Sequence, residues 1–374
     1  MLVSISYFVQ DKKEYIYVVR RPSSPPSPSF RHGGPLMNTA LHYAVLGAGI
    51  AGLSCARALA DAGARVTVLD KSRGPGGRMS TRRGDGWACD HGAQYFTARD
   101  PLFQAELARW QAAGVAVRWQ PRLAVFDAAG RRTGGGDELR HVGTPRMTAP
   151  ARLLADGLDL RLQTTVSALQ RYDHGWELAT AERGLLPEAF DGVLLAVPAP
   201  QALPLLQPVS AALAAVAAAA RMQACWALML RFVAPVAVDF DAAFVNHGPL
   251  RWIARDTSKP GRGGPETWTL HASAEWSEAH LEESTEQVAV ALMAAFCELG
   301  GAVPLAWSAH RWRYAITDAA VAGGCAWDAA HGVGLCGDWL HGGRVEGAWL
   351  SGHALAQRAL AKVGDELRAG LVQA

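Results

Sequence analysis

Three glycines, Gly47, Gly49 and Gly52, follow a short apolar run, "AVL", at G-x-G-x-x-G spacing. At that spacing the first glycine permits a tight turn and the second lets backbone approach a pyrophosphate. The third lets a helix pack close to a strand. Asp70 closes the next apolar run, "RVTVLD", where a carboxylate can accept both ribose hydroxyls of an adenosine. The chemistry asked for is dinucleotide binding. The elements that must position it are a buried parallel strand, the turn, a helix "AGLSCARALADAG" ending at Gly63, and a second strand. The helix start, at Ala51 and Gly52, offers unpaired N–H groups and the positive end of a dipole to phosphate. This motif does not decide between NAD and FAD.

Three further segments do. In "KSRGPGGRMSTRR", Gly76 and Gly77 again allow close backbone approach, Lys71 and Arg73 flank the turn, and Arg78 can pair with a pyrophosphate. An NAD-type domain would proceed to its next helix here, so an extended glycine loop implies a longer ligand. In "CDHGAQYFT", small Gly92 and Ala93 with polar Gln94 suit the lining of a flat ring. Near the other end, "GVGLCGDWLHGGRVEGAWLSGHALAQRAL" reads as a strand closing on Gly337 and Asp338, a glycine-rich loop and a helix. Asp338 is placed for a ribityl or phosphate-proximal hydroxyl, and the helix start near Val345 and Gly347 favours negative charge on a reduced ring. A cofactor gripped by both ends of a chain is FAD, held non-covalently.

Composition excludes other classes. Thirty-six basic against 34 acidic residues give +2, which makes no case for nucleic acid or an anionic membrane as partner. Six scattered cysteines without a CxxC pair, and no histidine at ligand spacing, imply reduced thiols in a cytoplasmic protein with no metal. The most apolar run, "SAALAAVAAAARMQACWALML", is interrupted by Arg221 and Gln223 and reads as an Ala-rich helix followed by a strand. Residues 1–36 carry a Pro/Ser/Gly tract that cannot pack a core, and are expected to be a disordered or spurious extension.

The segments quoted above, with "TPRMTAPARLLA", "LLAVPAPQA", "CWALML", "DTSKPGR" and "HRWRYA", resemble the renalase-type flavoproteins of bacteria, within the flavin amine-oxidase superfamily. The resemblance runs from about 43 to 363. It implies an α/β fold: a Rossmann-type FAD-binding domain of the glutathione-reductase and amine-oxidase kind, with an inserted mixed α+β substrate domain. On that plan 41–100, 144–204 and 306–364 form the discontinuous FAD domain, and 101–143 with 205–305 the substrate domain. It also implies that the strand valine of "TTVSAL", Val166, contacts the adenine side through its backbone. One departure is Ser72, where the wider superfamily has an arginine; Arg73 stands next to it.

The hydride donor is the remaining question. An amine must arrive deprotonated and benefits from a lysine–water relay, but only Lys259 falls in the expected substrate domain. A dihydropyridine becomes aromatic on losing hydride and needs no general base. The resemblance implies the same: oxidation of 2- or 6-dihydro-NAD(P) to NAD(P)+, with dioxygen reduced to hydrogen peroxide. His341, Arg344 and Glu346 are then the polar side chains expected at the reaction site, with an internal Arg344–Glu346 ion pair as the alternative. Among 13 tryptophans, Trp252, Trp268, Trp312, Trp339 and Trp349 are candidates to line a pocket, the last two above all. An amine oxidase or carotenoid-type dehydrogenase on the same fold, and a flavin-binding protein without turnover, remain the other readings.

Overall fold

A computed structural model of the chain describes residues 40–372 except 137, 320 and 322. The extension expected over 1–36 lies outside the described residues. The run "HYAVL" forms the strand His42–Leu46, buried on both faces: Tyr43 and Val45 enter one core, Ala44 and Leu46 another. It is central in a six-stranded sheet, parallel to Arg65–Leu69 on one side and Gly192–Leu195 on the other. Asp159–Arg161 extends one edge and Val333–Leu335 the other, both parallel, and Ala326–Asp328 closes the far edge antiparallel. Five parallel strands drawn from four distant stretches of chain are what a Rossmann-type layer requires.

The helix Ile50–Asp61 covers one face of this sheet and crosses the helix Val345–Val372. Their contact is close because Gly352 has no side chain; a Cβ there would lie 1.9 Å from the Ala51 carbonyl oxygen. Ser54 Oγ donates to the Trp349 carbonyl across the same seam at 2.9 Å. So the two ends of the described chain meet beside the first glycine turn. The sheet's opposite face is covered by the meander Val166–Tyr172 and Gly175–Thr180 and by the Ala-rich helix Ala211–Ala219, capped by Ser210.

A seven-stranded, mainly antiparallel sheet forms the second layer. Its order is Ala306–Ala319, Arg221–Arg231, Thr267–Ala272, Leu250–Arg255, Ala242–Val245, Leu123–Phe126 and Arg132–Gly134. Alternation sorts its side chains. Trp226, Leu228 and Leu230 pack with Trp268 and Leu270 under the helix Thr285–Glu298, whose start carries a Ser284/Gln287 capping box. The other face turns toward the first sheet.

The fold class is thus the one expected, an α/β cofactor layer beside a mixed second layer, but the limits at 205 and 305 are displaced. The helix Ala211–Ala219 packs on the first sheet. The strand Ala306–Ala319 pairs along Arg221–Arg231 and covers its edge, so the chain is still in the second sheet at 319. Along most of its 11 residues the strand Arg221–Arg231 pairs with this segment, since Thr267–Ala272 on its other side reaches only Ala227–Arg231. Phe296, fully buried against Phe232 and Trp268, fastens the helix Thr285–Glu298 to the second sheet. Phe296→Ala should cost about 3–5 kcal/mol and lower the guanidinium midpoint; an unchanged midpoint would show that this contact does not hold the layer.

Candidate functional site

The turn after the first strand is built as the glycine spacing predicts. Gly47 has φ +109°, and a Cβ on it would sit 2.7 Å from the Ala196 carbonyl oxygen. A Cβ on Gly49 would meet nothing within 4 Å, because its backbone faces an open cavity. Gly52 lies against the Gly47 carbonyl, where a Cβ would fall at 1.9 Å. No side chain caps the start of the helix Ile50–Asp61, so its first N–H groups are left for a ligand. Asp70 Oδ2 accepts from Ala48 N at 2.6 Å and Oδ1 from Ser72 N at 2.7 Å, which fixes the acid at the rim of the turn.

The second glycine loop docks directly on this turn. Gly76 N donates to the Ala48 carbonyl at 2.8 Å, and Gly49 and Gly76 form a parallel bridge. Gly77, at φ +51°, presents a Cβ position 3.2 Å from Gly49 Cα, so a side chain on Gly77 would crowd Gly49 and strain the backbone. Gly92 then packs on this loop, with its Cβ position 1.9 Å from the Arg78 carbonyl oxygen, and Ala93 N donates to that oxygen at 2.8 Å.

These segments line one cavity of about 2060 Å³ that runs between the two sheets. Ligand sites usually measure about 300–1,000 Å³, so there is room for an extended dinucleotide together with a second molecule. The uncapped helix start, the bare backbone at Gly49 and the acid at the end of the second strand fit FAD. Of the residues expected to hold it, Gly47, Gly49, Ala51, Asp70, Lys71, Arg73, Gly77, Arg78, Gly92, Ala93, Val166, Gly337, Asp338, Arg344 and Val345 all line this cavity. Gly52 does not, since its place is against the strand.

Several expected residues are used otherwise. Arg78 and Asp338 hold each other, with N–O distances of 2.5 and 2.8 Å, so the pair closes the cavity floor between the two ends of the chain. Gln94 is buried behind the wall: its Nε2 donates to the carbonyls of Asp90 and Gly92, and its Oε1 accepts from Lys259. Glu346 is withdrawn from the cavity, because its Oε1 accepts from the backbone N–H groups of Arg99 and Asp100 at 2.6 and 2.7 Å. It therefore makes no ion pair with Arg344. His341 is exposed outside the cavity lining, leaving Arg344 alone of the three on the wall. Of the tryptophans, Trp252, Trp312 and Trp339 line the cavity. Trp268 lies in the second core, and Trp349 packs on Phe103 and His353.

The loop from Asp90 to Gln94 is tied to the second sheet by a buried charge cluster that the sequence did not reveal. Asp90, Asp256, Lys259 and Arg262 are all nearly inaccessible. Lys259 Nζ donates to Asp256 at 2.7 Å and to Asp90 and Gln94 at 3.2 Å; Arg262 reaches Asp90 at 2.5 Å. Burial alone would raise the Asp90 pKa, but Lys259 and Arg262 outweigh it and hold the carboxyl well below its usual range. Asp256 is pushed up to about 6 by its own burial and by the charge of Asp90. The His91 carbonyl accepts from Trp312 Nε1 at 2.9 Å and from His271 Nε2 at 3.1 Å, so His271 carries its proton on Nε2.

Above this loop the inner face of the second sheet is aromatic. Strand register places Trp312 opposite Cys225, His310 and His271 opposite Ala227, and Trp252 opposite His271. His91 stacks on Trp312 at 5.1 Å and meets His310 edge-on at 4.9 Å, and Arg82 reaches His310 Nδ1 at 3.2 Å. Burial lowers the pKa of His91 to about 3, helped by His310 and Arg82. It lowers His271 to about 4, and His310 to about 4 with Arg82 contributing. All three imidazoles are neutral at physiological pH. Burial also raises the Cys225 thiol to about 12, too high for a nucleophile.

These shifts set a pH dependence of stability. An unfolded histidine titrates near ~6.5, and these three titrate at about 3–4 when folded. Between those limits the unfolded chain binds more protons, so their contribution is present above about pH 6.5 and lost as pH falls toward 4. Asp256, whose folded pKa is raised, opposes one of the three over the same interval. Thermal unfolding midpoints should therefore fall from pH 7 to 4.5, and His310→Asn should make that dependence shallower. A midpoint flat over this range would contradict the assignment.

Comparison with known proteins agrees with this geometry. Residues 45–109 match an NAD(P)-binding Rossmann-like domain, and residues 112–360 match the flavin containing amine oxidoreductases. An L-amino-acid oxidase of Siganus canaliculatus is 38% identical over 91 residues, 24% of this chain and 16% of that protein. A hydroxyneurosporene desaturase of Rubrivivax gelatinosus is 38% identical over 136 residues, 31% of this chain and 25% of that protein. The chain thus spans a quarter or less of the length of these curated relatives. In fold it is similar to cyclohexylamine oxidase from Brevibacterium oxydans IH-35A, with TM-score 0.69 and 15% identity over 87% of this chain and 100% of that one. Putrescine oxidase bound to putrescine gives TM-score 0.66 at 15% identity, covering 86% and 100%. No helix among the described residues is long and apolar enough to cross a membrane, and none of their His, Cys, Asp and Glu groups is clustered to hold a metal. A cradle for a dinucleotide at one end of the cavity, and a family model matching most of the chain beyond it, lead to one statement: the chain belongs to the flavin containing amine oxidoreductases, FAD-dependent oxidoreductases with a Rossmann-type dinucleotide-binding domain.

Proposed function

We propose that the protein oxidises isomeric 2- or 6-dihydro-NAD(P), as its resemblance to renalase-type enzymes implies. The observation that carries this reading is the charge of the cavity wall. Lys71, Arg73, Arg82, Arg83, Arg146, Arg152, Arg251 and Arg344 line it without a carboxylate partner among the described residues. The two carboxylates on the wall are engaged, Asp338 by Arg78 and Asp70 by backbone N–H groups. Such a wall suits an anionic dinucleotide and opposes the entry of a cationic amine. It can hold the phosphates of FAD and of a second dinucleotide.

When bound, FAD supplies a hydride acceptor at N5 and a path for the electron pair to dioxygen, so that dihydro-NAD(P), O2 and H+ give NAD(P)+ and H2O2. The chain's own part is to position the donor and to keep unfavourable charge away. Trp252, His271 and Trp312 present a flat face for a dihydropyridine ring. The ring gains positive charge as hydride leaves, and imidazoles kept neutral by burial do not oppose that charge. No proton is removed from the ring, so the absence of a carboxylate at this face is no obstacle. Six unpaired cysteines, five of them buried, support a cytoplasmic setting.

A second reading, amine oxidation, draws on the family and on the fold shared with putrescine and cyclohexylamine oxidases. Against it, all three of the Lys259 hydrogen bonds are internal and the residue does not line the cavity. Anaerobic stopped-flow decides between them. Rapid loss of flavin absorbance with 2- or 6-dihydro-NAD, and not with primary amines, is the expected result. Bleaching by an amine alone overturns the proposal, and no bleaching by any donor would leave a flavin-binding protein without turnover.

A further inference from the structure

Arg251 occupies an unusual place in the second sheet. The strands Leu250–Arg255 and Thr267–Ala272 pair Leu250 with Ala272 and Trp252 with His271, so Arg251 is an extra residue with no partner opposite it. This is a β-bulge, a device that redirects a side chain and is frequent beside binding sites. Here it lies next to Trp252 and His271, whose side chains form the aromatic face, and Arg251 lines the same cavity. Its charge is felt at the buried thiol of Cys225, two strands away on that face. Yet the Arg251 guanidinium has no hydrogen bond or ion pair among the described residues. The nearby cations differ: Arg311 and Arg313 are turned to Glu282, and Arg82 to His310.

Resting on the dihydronicotinamide reading, we propose that Arg251 binds a phosphate of the substrate and so selects a nucleotide over a bare dihydropyridine. A guanidinium offers a planar pair of donors that matches a phosphate edge, and a bulge holds it beside the ring-binding face without the backbone having to move. The chain thereby separates two tasks: an uncharged aromatic surface for the ring, and an exposed, unpaired cation beside it for the tail.

The test uses the flavin-loaded protein and its Arg251→Gln and Arg251→Lys variants. Titration with NAD+, followed by perturbation of the flavin spectrum, gives a binding constant that does not depend on turnover. Anaerobic reduction gives Kd for 2- or 6-dihydro-NAD and for the corresponding dihydronicotinamide riboside, which has no phosphate. Arg251→Gln should raise Kd for NAD+ and dihydro-NAD about tenfold or more. The riboside should change by less than about twofold, and Arg251→Lys should recover part of the loss. Added salt should weaken dinucleotide binding to the natural protein more steeply than to Arg251→Gln. Equal Kd values for NAD+ in all three proteins overturn the proposal, as does an equal loss for dinucleotide and riboside, which would mean a general disturbance of the face. If an amino acid or other carboxylate is bound through Arg251 while NAD+ is not, the cation serves a different anion and the phosphate assignment fails. Failure of the natural protein to be bleached by any dihydronicotinamide, with NAD+ binding still sensitive to Arg251, would reject the reaction and leave the anion site standing.

Discussion

Everything in the cofactor layer depends on one close approach of backbone to backbone. The Ala48–Gly49 turn and the Gly76–Gly77 loop are joined by a single N–H to carbonyl bond and a bridge, with Gly77 lodged over Gly49 Cα. A side chain on Gly77 would press on Gly49 Cα and strain a backbone at φ +51°. Because they touch, the first helix start, the acid at the end of the second strand and Arg78 come to bear on one line. Gly92 then packs on the Arg78 carbonyl, and the far end of the chain returns through Asp338 to the Arg78 guanidinium. The sequence of contacts runs from turn to loop to second loop, where Gly77 and Gly92 allow close approach, and then to the C-terminal segment through the Arg78–Asp338 ion pair.

The second constraint is electrostatic. Asp90 carries a buried negative charge surrounded by Lys259, Arg262 and the Thr81 hydroxyl. Removing either cation would strand a charge in a place water does not reach, a loss of about 3–5 kcal/mol. This cluster ties the Asp90–Gln94 loop, which packs on the second glycine loop, to the second sheet beside the aromatic face. The His91 carbonyl, held by Trp312 and His271, continues the same attachment. The neutral histidines have a different cause: burial disfavours their charged forms, with Arg82 beside His91 and His310 and Lys259 near His271 adding to it.

How much of this was legible in the sequence depends on whether the signal was local. The roles of Gly47, Gly49 and Gly52 follow from spacing over six residues, and the structure gives each the place that spacing implies. The helix after the glycine turn and the Ala-rich helix were equally plain, and they form over Ile50–Asp61 and Ala211–Ala219. Glu346 looked like a residue of the reaction site because it sits in a glycine-rich loop beside a helix start. Its actual partners, Arg99 and Asp100, lie 246 or more positions away, and no local pattern reports them. The imidazole face was hidden for the same reason, since antiparallel register brings His271 and His310 together and His91 reaches them from a distant loop. A faint signal existed: in "TWTLHA" and "AHRWRY", polar or aromatic residues alternate with others, as they must where one sheet face lines a cavity. The bulge at Arg251 left no such trace.

The account's central claim is that two bare backbones in contact form the floor on which the flavin is held. The most direct measurement is the flavin-to-protein ratio of purified Gly77→Val, read from visible absorbance alongside circular dichroism and thermal unfolding. A β-branched residue is strained at φ +51° and its Cβ would stand 3.2 Å from Gly49 Cα. The account predicts a folded protein that has lost its yellow colour and does not regain it with added FAD. A folded variant with one flavin per chain would contradict it.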